Sequence, residues 1–274
     1  MATSQADKSR AFAALHERAG AFVIPNPWDA GSARMLASLG FEALATTSGA
    51  KAAVLGRRDG RVTRAEALAN ARLIVDAVDL PVSADLEKGF GDAPEDAATT
   101  IRDAGAIGLV GGSIEDATGN PASPIFELAH ATKRIEAAVA AARAMPFRFL
   151  LTARCENFVR NVTDLDDTIR RLQAYEKAGA DVLMAPGLPD LAAVAKVCAS
   201  LSKPFNFMAG IKGKSFPVAD LAAAGVKRVS LATSLYRAAM TGALAAAREV
   251  KEKGTFGYIE TSLATPDLNA FLKG

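Results

Sequence analysis

At 274 residues, 50% hydrophobic and 23% charged, the chain can bury a sizeable core, and its size suits one barrel domain as well as two smaller ones. Its 32 Lys+Arg against 30 Asp+Glu leave a formal net charge of +2, which gives no reason to expect nucleic acid or an anionic membrane as partner. Two cysteines, Cys155 and Cys198, are too few for a disulfide framework or a zinc cluster, and two histidines, His16 and His130, leave no imidazole set for a Ser-His-Asp triad or a His-ligated metal.

Residues 1–20 are polar and then helical, which predicts a leading helix laid over the base of the fold. From residue 21 onward, short runs rich in β-formers alternate with Ala-rich segments of helical period, the pattern of parallel strands joined by helical crossovers. The strand candidates are 21–26, 43–47, 82–86, 108–116, 149–155, 182–186, 205–209 and 228–233. Helices are predicted near 29–39, 63–78, 94–104, 127–144, 164–178, 189–200, 217–224 and 234–253, several opened by an N-capping Thr or Asp. Glycines at 40, 105, 179 and 225 stand where helix C-caps need a left-handed residue. Eight such units predict a single α/β domain over 1–274, a (β/α)8 TIM barrel, followed by a C-terminal extension over 254–274. A doubly wound open sheet is the alternative, but its glycine-rich first turn is missing. The apolar stretches are short and interrupted, with no run of about twenty apolar residues and no leader pattern, so the expected address is cytoplasmic, away from membranes.

The active site of such a barrel collects at the C-terminal ends of the strands. Those ends offer Asn26 to Asp29, Thr46 to Ala50, Asp85 with Glu87, Glu115 with Asp116, Arg154 with Glu156, Asn206, and Thr233 with Ser234. Strand alternation is expected to put Asp85 and Glu87 on one face while Leu86 points away. Carboxylates from neighbouring strands facing an arginine from a third would hold a hard divalent cation opposite an anion anchor, which a chelating 2-oxo acid requires. Trp28 follows strand one and is a candidate pocket wall, and Asn206 a candidate substrate contact. Lys51, Lys88, Lys212 and Lys214 lie among glycines and charges and are expected to be solvated loop lysines rather than Schiff-base formers.

The segments TTSGA (46–50), ADLEKGFGD (84–92), SIED (113–116) and TARCENF (152–158) together resemble the isocitrate lyase / phosphoenolpyruvate mutase superfamily. The resemblance covers nearly the whole chain. It implies a barrel that binds Mg²⁺, with Mn²⁺ as a substitute, and a pyruvate-like 2-oxo acid whose enolate is stabilised. By that resemblance Asp85, Glu87 and Glu115 would hold the metal, partly through water, and Asp59 would approach from the loop after strand two. Ser48, Gly49 and Ala50 would meet the substrate carboxylate, and Arg154 would pair with its carboxylate and oxo end. It further implies a homo-oligomer, a dimer or tetramer, with the eighth helix swapped between subunits.

Departures from the family pattern bear on the reaction. The lyase motif Lys-Lys-Cys-Gly-His, whose cysteine acts as acid, is replaced here by residues 117–124, without cysteine, histidine or lysine. The isocitrate and methylisocitrate reactions are therefore not expected. Proton delivery falls to Glu156, to water or to the 117–126 loop, which is expected to close as a lid. The resulting expectation is a Mg²⁺-dependent lyase cleaving a C–C bond of a 2-oxo or 2-hydroxy dicarboxylic acid. Decarboxylation, phosphonopyruvate P–C chemistry and a non-catalytic oxo-acid-binding relative are the alternatives.

Overall fold

The computed structural model describes residues 3–272. Eight short strands, β1 (Phe22–Ile24), β2 (Leu44–Ala45), β3 (Val82–Asp85), β4 (Gly111–Glu115), β5 (Leu150–Arg154), β6 (Val182–Met184), β7 (Phe205–Met208) and β8 (Arg228–Ser230), pair in parallel in the order β1-β8-β7-β6-β5-β4-β3-β2. This is the expected (β/α)8 barrel, nearly closed. Across the remaining seam one backbone bond runs, from Ala45 N–H to the Pro25 carbonyl (3.0 Å). The Asn26 side chain reinforces it, donating to the Thr46 carbonyl (3.0 Å) and accepting from Leu231 N–H (2.8 Å).

The helices lie where the apolar period put them, each with a local reason to start. α2 (Ala30–Ser38) and α4 (Arg64–Ala77) open on reciprocal caps, Asp29 with Ser32 and Thr63 with Glu66, and α5 (Pro94–Ala106) has proline in its first turn. α6 (Leu128–Arg143), α7 (Leu165–Lys177), α8 (Leu191–Ala199) and α9 (Val218–Ala223) complete the outer layer. Their Ala-rich inner faces bury Ile101, Ile135, Leu172 and Val194 against the sheet. α1 (Gln5–Glu17) covers the base, burying Phe12 and Leu15 on Phe22, Ile24 and Leu150.

One local feature differs from the sequence expectation, and the eighth barrel helix stands apart from the rest. Residues 48–54, read as a strand end running into a loop, form a short helix, α3 (Ser48–Val54). α10 (Ser234–Lys253) is helical throughout as expected, yet no side chain of its 20 residues is buried. The extension that follows carries a single helical turn (Gly257–Thr261) and α11 (Thr265–Phe271), tied to α2 by a bond from Arg34 to the Leu272 carbonyl (2.8 Å). Among the described residues no helix is long and apolar enough to cross a membrane.

Candidate active site

The C-terminal ends of β3, β4 and β5 converge on one guanidinium. Arg154, the last residue of β5, is only 15% exposed and lies 3.6 Å from Asp85, 3.4 Å from Glu115 and 2.5 Å from Glu156. Burial opposes its charge, but Glu156, Glu115 and Asp85 outweigh that and raise it well above an ordinary arginine. Arg160, one turn beyond Glu156, adds a second cation at 3.1 Å from it and 3.7 Å from Glu115. Glu156 is held from behind, its N–H donating to Asp116 (2.8 Å).

The carboxylates are not equivalent. Burial alone would raise Asp85, but Arg154 and Lys51, with N–H donors from Ser48 and Glu87 (both 3.1 Å), keep it below the usual range. Glu115 goes the other way: burial first, then Glu156 and Asp85, push it well above the ordinary value. Asp116 faces the helix layer, where Tyr175 donates to it at 2.6 Å, and burial raises it. The acidic pair ending β4 thus splits into a mouth carboxylate and a structural one.

Glu87 does not reach the mouth by strand alternation. β3 ends at Asp85, and Glu87 takes a left-handed backbone (φ 52°) that turns its carboxylate to Lys51 at 3.3 Å. Burial raises Glu87. Lys51 is therefore no solvated loop lysine: it is 2% exposed on α3 and faces the Phe90 ring at 5.5 Å. Its burial had no mark in the sequence, because the helix that carries it is too short to show an apolar period. Lys88 is partly exposed and pairs with Asp92 (2.5 Å), while Lys214 donates to the Gly187 carbonyl (3.1 Å).

α3 explains the TTSGA segment. Ser48, Gly49 and Ala50 form the first turn of a helix whose N-cap, Thr47, makes no side-chain cap bond. Amides in a first turn have no intrahelical acceptor. The Ser48 amide is given to Asp85 (3.1 Å). Gly49 is in close quarters, because a Cβ there would stand 3.1 Å from Thr233 and 3.4 Å from Asp59.

Ser48, Glu87, Glu115, Arg154 and Arg160 border a cavity of about 460 Å³ that Asp59 and the hairpin after β4 also line, whereas Asp85 borders a smaller cavity beneath it. That hairpin is ordered by bonds from Thr118 N–H to the Pro124 carbonyl (2.9 Å) and from Lys88 to the Thr118 carbonyl (2.7 Å). Two sequence candidates lie elsewhere. Trp28 stacks edge-on against Tyr236 of α10 (centroids 5.4 Å apart) and borders neither this cavity nor the one below it. Asn206 sits deeper, in the barrel interior against Arg228 (2.7 Å). Arg160 was missed because the turn that presents it, Asn157–Arg160, has no apolar period to announce it.

Among the described residues no three His, Cys, Asp or Glu side chains form a cage. What exists is a pair, Asp85 and Glu115, on adjacent strands and both within 3.6 Å of Arg154, with Glu115 raised by burial first and then by Glu156 and Asp85. Two convergent carboxylates fit a cation such as Mg²⁺, which takes one or two protein carboxylates and completes its shell with water and substrate.

The fold and the charged mouth at its strand ends define a (β/α)8-barrel enzyme. The phosphoenolpyruvate phosphomutase family profile matches residues 12–251, and the chain belongs to that family, within the isocitrate lyase / phosphoenolpyruvate mutase superfamily. A candidate lyase/mutase of Burkholderia cenocepacia J2315 superposes with a TM-score of 0.96 at 52% identity, covering 97% of this chain and 96% of that one. An uncharacterized protein of Mycobacterium tuberculosis is 31% identical over 245 residues, 87% of this chain and 88% of its own. The structure of a 2,3-dimethylmalate lyase, also of this superfamily, matches with a TM-score of 0.86 at 25% identity over 97% of this chain and 95% of that one.

Proposed function

We propose that the protein is a Mg²⁺-dependent lyase that cleaves a carbon–carbon bond of a 2-oxo or 2-hydroxy dicarboxylic acid. The observation that carries this reading is the Arg154 guanidinium, fixed between Asp85, Glu115 and Glu156 beside the mouth cavity. Asp85 and Glu115 would hold the metal, with Glu87 acting through water; bound there, Mg²⁺ or Mn²⁺ supplies Lewis-acid polarisation of the substrate's oxo and carboxylate oxygens. The Gly49 and Ala50 amides receive the 2-carboxylate. Glu156 holds the Nε edge of Arg154, and the two Nη groups, which lie 3.4–3.6 Å from Glu115 and Asp85, would be shared with the oxo oxygen, where charge grows as the bond from the third carbon to the departing fragment breaks. For a 2-oxo acid such as oxaloacetate the pair of the C3–C4 bond becomes the C2–C3 double bond, the carbonyl pair moves onto oxygen and carbon dioxide departs, leaving an enolate that the fixed cation of Arg154 stabilises more than the ground state.

The proton that then returns to carbon does not come from a thiol. Cys155 faces the helix layer, wholly buried, with burial and Asp116 holding it well above the ordinary thiol range. Water from the mouth cavity is the donor, oriented by Glu156 or Asp59, with the 117–126 hairpin as its lid. A reaction that needs no strong acid, such as decarboxylation of oxaloacetate, suits this set best. α10, with Met240 and Leu244 exposed, is proposed to pack on or exchange with a neighbouring copy in a dimer or tetramer.

The test is a pyruvate-release assay against oxaloacetate, 2-methylisocitrate, 2,3-dimethylmalate and phosphonopyruvate, with Mg²⁺ and with EDTA. Release from a carbon substrate, lost with EDTA and with Arg154→Lys, is the expected result. Release of pyruvate or formation of phosphoenolpyruvate from phosphonopyruvate alone would move the protein to P–C chemistry. Binding of oxalate without turnover of any substrate would make it a binding protein.

A further inference from the structure

Below the mouth, the barrel interior holds a second cavity of about 50 Å³, several times the minimum for one water but far too small for a whole dicarboxylic acid. It exists because inward positions that a packed barrel fills with branched aliphatic residues are small here: Ala45 on β2, Ser83 on β3, Ser113 on β4 and Ser230 on β8. At its lower end lies Arg228, 5% exposed. Its Nε donates to Asn206 Oδ1 (2.7 Å), one Nη to Thr152 Oγ1 (2.8 Å) and the other to His16 Nε2 (3.3 Å).

All three partners are neutral. Burial first, then Arg228 itself, push His16 down to about 3, so the imidazole is uncharged at neutral pH. Among the described residues no carboxylate pairs with Arg228. Burial lowers it to about 9, and nothing nearby pulls it back up. A buried charge without a counter-charge is costly, and a guanidinium has five N–H donors, of which three are used.

We propose that this cavity is a small-anion subsite, in which the remaining N–H groups of Arg228 and the surrounding hydroxyls receive one halide-sized ion or one carboxylate group. Asp85 borders the upper end and repels an anion there, but its oxygens are taken by the Ser48 and Glu87 amides and by Arg154. The anion therefore sits at the Arg228 end. Two sources share this chemistry: a free ion from solution, or the second carboxylate of an acid held at the mouth. The second source rests on the function proposed above, and Arg154, which borders both cavities, is the point from which such an acid would reach down.

The site is tested without turnover. Thermal unfolding of the full chain is followed with increasing sodium bromide, and with sodium gluconate, too large to enter, at matched ionic strength. Crystals soaked in bromide are examined for anomalous scattering. The expected result is a saturable rise in Tm of several degrees with bromide only, and an anomalous peak beside Arg228. Asn206→Asp, which supplies a built-in counter-charge to the Arg228 Nε, should fold and lose the bromide response; Arg228→Met is the harsher companion. Equal responses to bromide and gluconate, an undiminished response in Asn206→Asp, or bromide found only at the surface would overturn the proposal. Displacement of bromide by a dicarboxylate such as oxaloacetate, but not by pyruvate, would assign the subsite to the acid's second carboxylate; displacement by neither would assign it to a free ion. Loss of lyase activity in the substrate assay would leave the bromide result standing.

Discussion

Arg154 is the residue on which the mouth's charges are balanced, and its fork geometry matters as much as its sign. Lysine would keep the charge but cannot hold Glu156 along one edge and a substrate oxygen along the other. Arg154→Lys is therefore expected to lower kcat by about 10²-fold with an unchanged far-UV circular dichroism spectrum. Asp85→Ala should abolish Mg²⁺-dependent turnover while the fold survives, since three barrel strands still meet there; unchanged turnover would remove Asp85 from the site. His16 gives a pH prediction with a definite sign. Its folded value, about 3, lies below the unfolded value near 6.5, so in that window the unfolded chain binds the extra proton and stability falls as the pH is lowered. The expected slope is about 1.4 kcal/mol per pH unit, seen as a falling urea midpoint between neutral pH and pH 4, and reduced in His16→Gln.

At the level of elements, the loop after β3 is the most firmly braced part of the mouth. Arg134 of α6 is buried and donates to three carbonyls, those of Glu115 (3.1 Å), Lys88 and Gly91 (3.0 Å), while its guanidinium lies over Phe126 (4.6 Å). Gly89 takes a left-handed φ of 85°, and a Cβ there would stand 2.9 Å from the Ala97 backbone. Gly89→Ala should cost about 1–3 kcal/mol, measured as a drop in the urea midpoint, because neither the turn nor α5 can yield. The sequence made this loop conspicuous through its acids and glycines but not its shape. Alternation placed Glu87 beside Asp85 on a strand that stops two residues earlier, and Glu87 arrives through a left-handed turn whose only sequence mark is the glycine at 89. α3 was hidden for a related reason: seven residues directly after a strand show less than two turns of apolar period, so its small side chains read as loop.

Across the whole molecule the barrel was legible, because eight repeats of strand and Ala-rich helix leave few other ways to bury that much apolar surface. Asp85, Glu115, Arg154 and Glu156 were legible as a cluster through the rule that strand ends meet at one mouth. The interior cavity was not, since nothing in a strand's sequence says that an opposite wall is also small. α10 and the tail leave Met240, Leu244, Phe256, Ile259 and Leu263 exposed, an amount of apolar surface that a lone chain seldom leaves in contact with water. Sedimentation is expected to find a dimer or tetramer, and Leu244→Lys to shift it toward smaller species; a monomeric wild type would remove α10 from any interface.

The seam between β1 and β2 gives the barrel an expansion joint. Elsewhere neighbouring strands are laced by ladders, whereas here one amide and one asparagine side chain do the closing. A hoop with one weak stave breathes at that stave, so the Ala45 amide should exchange its hydrogen faster than those of β4 and β5. Because α3 follows directly on β2, each such opening would also shift the Ser48 amide that holds Asp85, so the looseness of the seam reaches the charged mouth.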